Sequence, residues 1–199
     1  MSTDYLEIRD KILHAALPSV VFDGWGWDLL ETAAVQAGYE KSMARAVFPD
    51  GIPDALAHFA DMMDRAMLAR LKKDVANIED LRIRDRVRTA VLARFDALRP
   101  HKAAEKLALR YWSMPLRSIQ GGKILWRTAD HIWNWAGDTA TDYNRYTKRG
   151  LLSGVLAATL LTWIDDDTAD MSVTSAFLDR RIENVMQVGR ITSKLKKKA

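Results

Sequence analysis

Apolar residues recur along this chain at helical spacing and nowhere alternate as they would along a half-buried strand. Tyr5, Ile8, Ile12 and Ala16 predict a first helix over about Thr3 to Leu17, ended by Pro18. Phe22-Asp23-Gly24-Trp25-Gly26 reads as a turn with two glycines. A second helix is expected over about Trp27 to Ala37, stopped by Gly38, and a short third over Lys41 to Val47, closed by Phe48-Pro49-Asp50-Gly51. A long helix follows over about Pro53 to Lys73, with Leu56, Phe59, Met63, Met67 and Leu71 on one face. Another is expected over about Ile78 to Leu98, with Ile83, Val87, Val91 and Phe95 in line. Pro100 and Pro115 bracket a helix holding Leu107, Leu109 and Trp112. Two central helices part at Gly137, with Asp138 as the expected N-cap of the second. After Asp165-Asp166-Asp167 the chain turns, and a last helix is expected over about Val173 to Val188. The fold class is all-α, and no repeat at a fixed period is visible.

At 199 residues the chain has the length of one domain with a sizeable core. Three segments are expected within it: a helix-turn-helix-like unit over 1–51, a helical body over 52–170, and an amphipathic helix with a basic tail over 171–199. The first segment has the helix spacing of a DNA-binding unit, and its short third helix offers Lys41, Ser42 and Arg45. Its charge argues the other way. Residues 1–51 carry four basic side chains against eight acidic ones, and an acidic surface repels phosphates. A retained scaffold is the preferred reading there, and nucleic acid is not an expected partner.

Charge is uneven along the rest of the chain. The formal net charge is +4, yet seven basic residues and one acid fall between Arg180 and Ala199. The basic character therefore belongs to the C-terminal end, where an anionic surface is the expected partner. Phe177, Leu178, Ile182, Val185 and Met186 form an apolar stripe on the last helix, with basic residues at its margins. That is the pattern of a helix lying in a membrane interface, and equally of a helix packed on the body. The acidic N-terminus lacks a secretory or transit pattern, and the longest uncharged run, Gly150 to Ile164, is too short to span a bilayer. A bacterial protein, cytoplasmic and peripheral on the inner membrane, is expected, or else a mature form already trimmed.

The segment from Trp126 to Trp163 holds four of the seven tryptophans and two of the five tyrosines. Trp126, Ala129, Trp133 and Ala136 fall on one helical face, and Leu152 and Leu156 lie on the stripe of the next helix. These residues serve either as core or as the wall of an apolar pocket, which periodicity does not separate. Small residues opposite that stripe (Ser153, Gly154, Ala157, Ala158) allow close approach of another helix, in the same chain or in a second subunit. Between the two helices lie Asp142, Tyr143, Arg145, Tyr146 and Arg149. Tyrosine and arginine are favoured where partners bind, whereas a solvated helix end with an Asp142–Arg145 pair is the plainer alternative.

No catalytic chemistry is apparent. The chain has no cysteine, which excludes disulfides, thiolate metal sites and cysteine nucleophiles. His14, His58, His101 and His131 are scattered without metal-ligand spacing, and Asp54 with His58 reads as a solvated pair. No enzyme activity, metal or cofactor is expected.

Longer blocks carry a resemblance. They are Phe22-Asp23-Gly24-Trp25, Trp126-Arg127-Thr128-Ala129-Asp130, Ala136-Gly137-Asp138-Thr139, Thr141-Asp142-Tyr143-Asn144, Tyr146-Thr147-Lys148-Arg149 and Ala176-Phe177-Leu178-Asp179-Arg180-Arg181-Ile182. With them the chain resembles the coenzyme Q (ubiquinone) biosynthesis accessory family, the ninth of the Coq proteins. Its first third, through Gly24-Trp25, Ala37-Gly38 and Phe48, also resembles TetR-type transcription regulators. The resemblance implies a TetR-like helical bundle, a homodimer, and a lipid-binding accessory protein that takes isoprenoid quinone intermediates or phospholipid. It implies that these are presented at the membrane to the di-iron demethoxyubiquinone hydroxylase. It implies lipid contact through the central aromatic face, partner contact through Asp142 to Arg149, and membrane contact through the last helix. Arg145 departs from the family, in which many members carry tryptophan at that position. A TetR-type regulator sensing a hydrophobic ligand is the alternative function.

Overall fold

The computed structural model describes residues 3–141 and 143–196, with side chains over 4–187 and position 142 omitted. Among the described residues every regular element is helical. The chain forms two compact units, one of residues 1–66 and 97–124 and the other of 67–96 and 125–199. These units cut across the three sequence segments, because the long helices run from one unit into the other.

The first unit begins with α1 (Thr3–Ala16), a one-turn α2 (Val20–Asp23), α3 (Trp27–Gln36) and α4 (Lys41–Val47). α2 occupies part of the stretch read as a plain turn, and Gly24 then ends it at φ 68°, a left-handed conformation that suits glycine. Gly38, at φ 86°, closes α3 in the same way. Ile12, Leu13, Ala16, Leu30, Ala34, Ala44 and Phe48 are buried where α1, α3 and α4 meet. The apolar face expected on α5 (Ile52–Asp74) is buried at Leu56 and Phe59 here, and at Met67 and Leu71 in the second unit. Asp54 and His58 are not a solvated pair. Arg9 of α1 binds Asp54, and His58 lies 2.7 Å from Asp10, which Arg65 also engages at 2.6 and 2.8 Å. Both residues face α1, so an i,i+4 spacing on α5 became two separate cross-helix links. The unit is completed by the end of α6 (Ile83–Leu98), α7 (Lys102–Trp112) and the start of α8 (Ser118–Trp135).

In the second unit, α6 buries Val87, Val91 and Phe95 as expected, while Ile83 at its first turn is exposed. The helix expected to begin at Ile78 is a separate 3-10 turn, Ile78–Asp80, ahead of α6. Its Asn77 side chain caps that turn by accepting from the Glu79 amide. α9 (Tyr143–Ile164) buries Leu152, Val155, Leu156, Thr159, Leu160 and Trp163, the stripe read from the sequence. Trp163 stacks beside Phe95 with ring centres 5.5 Å apart. α10 (Ser172–Lys196) packs on α9.

Candidate functional site

The junction of α8 and α9 is organised by one buried arginine. α8 ends because Gly137, at φ 86°, reverses the chain: the Asp138 amide reaches back to the Trp133 carbonyl at 2.9 Å. Arg86 from α6 donates to the Ala136 carbonyl at 2.9 Å, so the exposed end of α8 gains a further donor. A Cβ added at Gly137 would meet that guanidinium at 3.2 Å. Asp138 does not cap α9, which begins only at Tyr143. It turns inward and accepts from Lys148 at 2.6 Å and from Arg149 at 3.1 Å.

Arg149 lies on the apolar face of α9, one turn before Leu152, and only 1% of its side chain is exposed. Its guanidinium donates to Asp130 at 2.5 Å, to Asp138 at 3.1 Å and to Asn134 at 3.1 Å. Asp130 and Asn134 are one turn apart on α8 and share a face, joined at 3.0 Å. The fork thus ties α8, the loop and α9 at one point. Burial opposes ionisation of Asp130 and Asp138. The bonds from Arg149 to the former, and from Lys148 and Arg149 to the latter, outweigh it and hold both carboxyls below the ordinary range. Arg149 was expected on a partner surface. It is instead the foundation of that surface, since a charge flanked by apolar residues on α9 finds its counter-charges inside.

Above this foundation lie the exposed side chains. Tyr143 is 80% exposed, Tyr146 62% and Trp126 36%. Trp126 and Tyr146 face each other with ring centres 6.3 Å apart, and Gly150 leaves the space that the edge of Trp126 approaches. Arg145 is exposed and reaches Asp130 at 3.3 Å. The pair expected between Arg145 and Asp142 lies outside the described residues. The structure therefore brings Trp126, Tyr143, Arg145 and Tyr146 onto one aromatic platform at the start of α9.

The residues expected at a lipid pocket separate. Trp126 is at the platform. Ala129, Ala136, Leu152 and Leu156 are buried, and Trp133 is half-buried, its indole N–H donating to the Lys148 carbonyl at 3.1 Å. Trp133 also lies under the Lys148 ammonium, 5.3 Å from the ring centre. Sequence reasoning missed the ionic partners of this region, Asp130 and Asn134. Their i,i+4 spacing was readable, but the arginine they share is contributed by another helix.

The stripe expected to contact membrane on α10 also divides. Leu178 and Ile182 are buried, while Phe177, Val185 and Met186 are only half-buried. On its polar side Asp179 accepts from Arg88 at 2.6 Å, and Glu183 from Arg84 at 3.0 Å, both from α6. Leu178 and Ile182 are therefore core positions, because α10 packs on α9 and its acids are anchored by α6. The start of α10 is fixed by Asp166, whose carboxylate accepts from the amides of Thr168 and Thr174 and from both hydroxyls. Burial resists the charge on Asp166, but these donors hold its carboxyl well below the usual range. The side chains of the basic tail, Lys194 to Lys198, lie outside the described residues.

On the short helix α4, Arg45 is paired with Glu31 at 2.8 Å and lies over the Trp27 ring at 4.4 Å. Among the described residues no cluster of three or more acidic or histidine side chains could hold a metal ion. No described helix is long and apolar enough to cross a membrane.

Comparison with known proteins bears on both the fold and the junction. The family model COQ9 matches residues 119–189, which include the whole α8–α9 junction. The rat mitochondrial ubiquinone biosynthesis protein COQ9 (Rattus norvegicus) is 28% identical over 96% of this chain and 62% of its own length. The human protein (Homo sapiens) is 26% identical over 96% of this chain and 61% of its own, and COQ9-A of Xenopus laevis 29% over 92% and 59%. The chain thus spans about three fifths of the length of these relatives. All three are named mitochondrial, which overturns the expectation of a bacterial protein on the inner membrane. In three dimensions the chain is similar to a TetR transcriptional regulator of Nitrosomonas europaea, with a TM-score of 0.68 and 17% identity over 89% of this chain and 97% of that one. The resemblance read from the sequence therefore holds: this chain is similar to the COQ9 ubiquinone biosynthesis proteins along nearly its whole length, on an all-α, TetR-like fold.

Proposed function

We propose that this chain serves ubiquinone biosynthesis as a non-catalytic, lipid-binding accessory protein. It takes an isoprenoid quinone intermediate at a membrane surface and presents it to the demethoxyubiquinone hydroxylase. The observation that carries this reading is the platform of Trp126, Tyr143, Arg145 and Tyr146 mounted on the buried Arg149. Large aromatic side chains held out to solvent on a rigid base suit a protein partner, since little ordering remains to be done on binding. The buried faces of α8 and α9 at Ala129, Ala136, Leu152 and Leu156, with half-buried Trp133, are the proposed lipid-binding wall. Phe177, Val185 and Met186 of α10 are the proposed membrane contacts, aided by the C-terminal basic residues. A second copy is proposed against α9, where Gly154 and Leu161 are exposed and Ala157 and Ala158 half-buried.

Two measurements test this. Native mass spectrometry of the purified protein should show a homodimer carrying an isoprenoid or phospholipid mass; a bare monomer from a membrane-containing lysate refutes the lipid and dimer parts. Titration with purified hydroxylase should give saturable binding that Tyr146→Ala weakens. Equal binding by the variant refutes the platform. The ligand-sensing regulator predicts salt-sensitive binding to a palindromic DNA site, and a gel-shift screen separates the two. The pairing of Arg45 with Glu31 weighs against DNA, because a neutralised cation contributes little to phosphate binding.

A further inference from the structure

The turn between α7 and α8 has no part in the junction described above, and its composition is unusual. No acidic residue occurs between Glu105 and Asp130. Over the same stretch of the first unit the chain carries Lys106, Arg110, Arg117 and Lys123. At the tip, apolar side chains are held out to solvent: Leu116 is 97% exposed, Ile119 73% and Met114 46%. A soluble surface gains nothing from that arrangement, because clustered apolar exposure costs free energy unless something covers it.

The tip is a built feature. α7 ends with the Ser113 amide bonded to the Leu109 carbonyl at 2.9 Å, and the Arg117 and Ser118 amides both reach the Met114 carbonyl, at 2.9 and 3.1 Å. The Ser118 hydroxyl donates to the Pro115 carbonyl at 2.9 Å. Arg117 folds over the Tyr111 ring at 3.9 Å, and Tyr111 packs edge-on against Trp112. Below the tip, Gly121 of α8 lies so close to Trp112 of α7 that a Cβ there would meet the tryptophan at 3.0 Å. Glycine thus lets the two helices close on each other, and the short turn is left to project Leu116 and its neighbours outward.

We propose that this α7–α8 hairpin is a membrane-insertion tip for an anionic lipid bilayer. Met114, Leu116 and Ile119 enter the headgroup–acyl boundary. Tyr111 and Trp112 sit at headgroup level, where amphipathic aromatic rings are favoured, and the basic residues meet lipid phosphates. Charge complementarity selects this occupant. A second copy docked tip to tip would bring two hairpins that carry Arg117 and Lys123 and no acid of their own together, which is repulsive. Nucleic acid would leave the apolar tip uncovered. No described helix crosses a bilayer, so the contact is interfacial. The inference deepens the membrane part of the proposed function but does not involve α10 or the quinone site.

The chain has no cysteine, so Leu116→Cys provides a single position for an environment-sensitive fluorophore. Leu116 is almost fully exposed, and its replacement leaves the core intact. With vesicles of phosphatidylcholine and phosphatidylglycerol the probe should shift to the blue and brighten, and with phosphatidylcholine alone it should not. Arg117→Glu with Lys123→Glu, in the full chain, should lower partitioning into the anionic vesicles by more than about tenfold, from roughly fivefold per cationic residue near the surface. A Gln187→Cys probe on α10 is the reference. If it responds and the Leu116→Cys probe does not, the hairpin is overturned while the membrane role of α10 stands. An equal response to neutral vesicles overturns the choice of anionic lipid. A blue shift that grows with protein concentration and needs no vesicles overturns lipid in favour of a second copy. If the full chain sediments with neither vesicle, the hairpin proposal fails, and the mass-spectrometric test of quinone binding decides the other reading separately.

Discussion

Two short helical stretches, α4 and the first turns of α9, each tie an arginine to an acid of the preceding helix. The outcomes differ. On α4, Arg45 is solvent-accessible, lies over Trp27 and is neutralised by Glu31, within a unit whose charge is already acidic. On α9, Arg149 is buried beneath its helix and holds Asp130, Asn134 and Asp138, leaving Tyr143 and Tyr146 free at the surface. The first arginine decorates a surface that already exists; the second makes a surface by fixing the geometry under it. A helix-turn-helix arrangement therefore does not by itself assign a function to the first unit, and the burial of Arg149 is what supports the surface proposed at α9.

Substitutions sharpen this contrast. The largest effect is expected at a position that the amphipathic reading of α10 assigned to membrane. Leu178 is fully buried, so Leu178→Asp should destabilise the protein by about 4 kcal/mol in urea unfolding. Met186→Asp, at a half-buried site, should cost less than half of that and act on vesicle binding instead. Equal losses at the two sites would remove the division of the stripe. Next, Arg149→Leu leaves Asp130 without its main donor and Asp138 with Lys148 but not Arg149, and should cost about 3 kcal/mol. Arg45→Ala should cost less than about 1 kcal/mol, since exposed pairs contribute little. If the two arginine variants unfold at the same urea concentration, the comparison fails.

Asp166→Ala removes the acceptor of both the Thr168 and Thr174 amides. It should cost about 2 kcal/mol and speed amide hydrogen exchange at the start of α10 more than in α4. Acid should weaken the protein in two stages. Burial and the nearby Arg9 lower the proton affinity of His58, and burial with His14 does the same for His101. The unfolded chain thus binds these protons more readily, and stability falls as pH drops below about 6.5. The depressed carboxyls of Asp10, Asp130 and Asp138 contribute stability that is present above about pH 4 and lost below it as they are protonated. Thermal unfolding across pH 3 to 8 reads both stages, and His58→Asn should flatten the upper one.

The smallest effect on folding is expected at Tyr146. Because it is exposed, Tyr146→Ala should change stability by less than about 0.5 kcal/mol. Under the proposed function it should nevertheless weaken binding of the hydroxylase by about thirtyfold, the size of a contact worth about 2 kcal/mol. Calorimetric titration distinguishes that from a purely solvated helix end.

Much of the helical architecture was legible from the apolar period. The faces at Leu56, Phe59, Met67 and Leu71 and at Leu152, Leu156 and Trp163 are buried as the spacing requires, and α4 has the predicted bounds. Such faces are local properties: an apolar stripe on a helix must be covered by something, whatever that is. The glycines at 24, 38 and 137 fixed chain reversals for a similarly local reason, the left-handed backbone they allow. What covers each stripe is a different matter. Leu178 reads the same whether α9 or a lipid surface lies against it, and only the packing of α10 on α9 assigned it to the core. Arg149 reads as a surface charge until Asp130 and Asn134 arrive from α8 and Asp138 from the loop. A side chain's partners come from residues distant in the chain, and the cost of burying a charge makes them decisive. The sequence by itself determined the helices, their apolar faces and their stops. The tertiary structure alone decided which charges were buried, and through them which aromatic residues stand exposed at the start of α9.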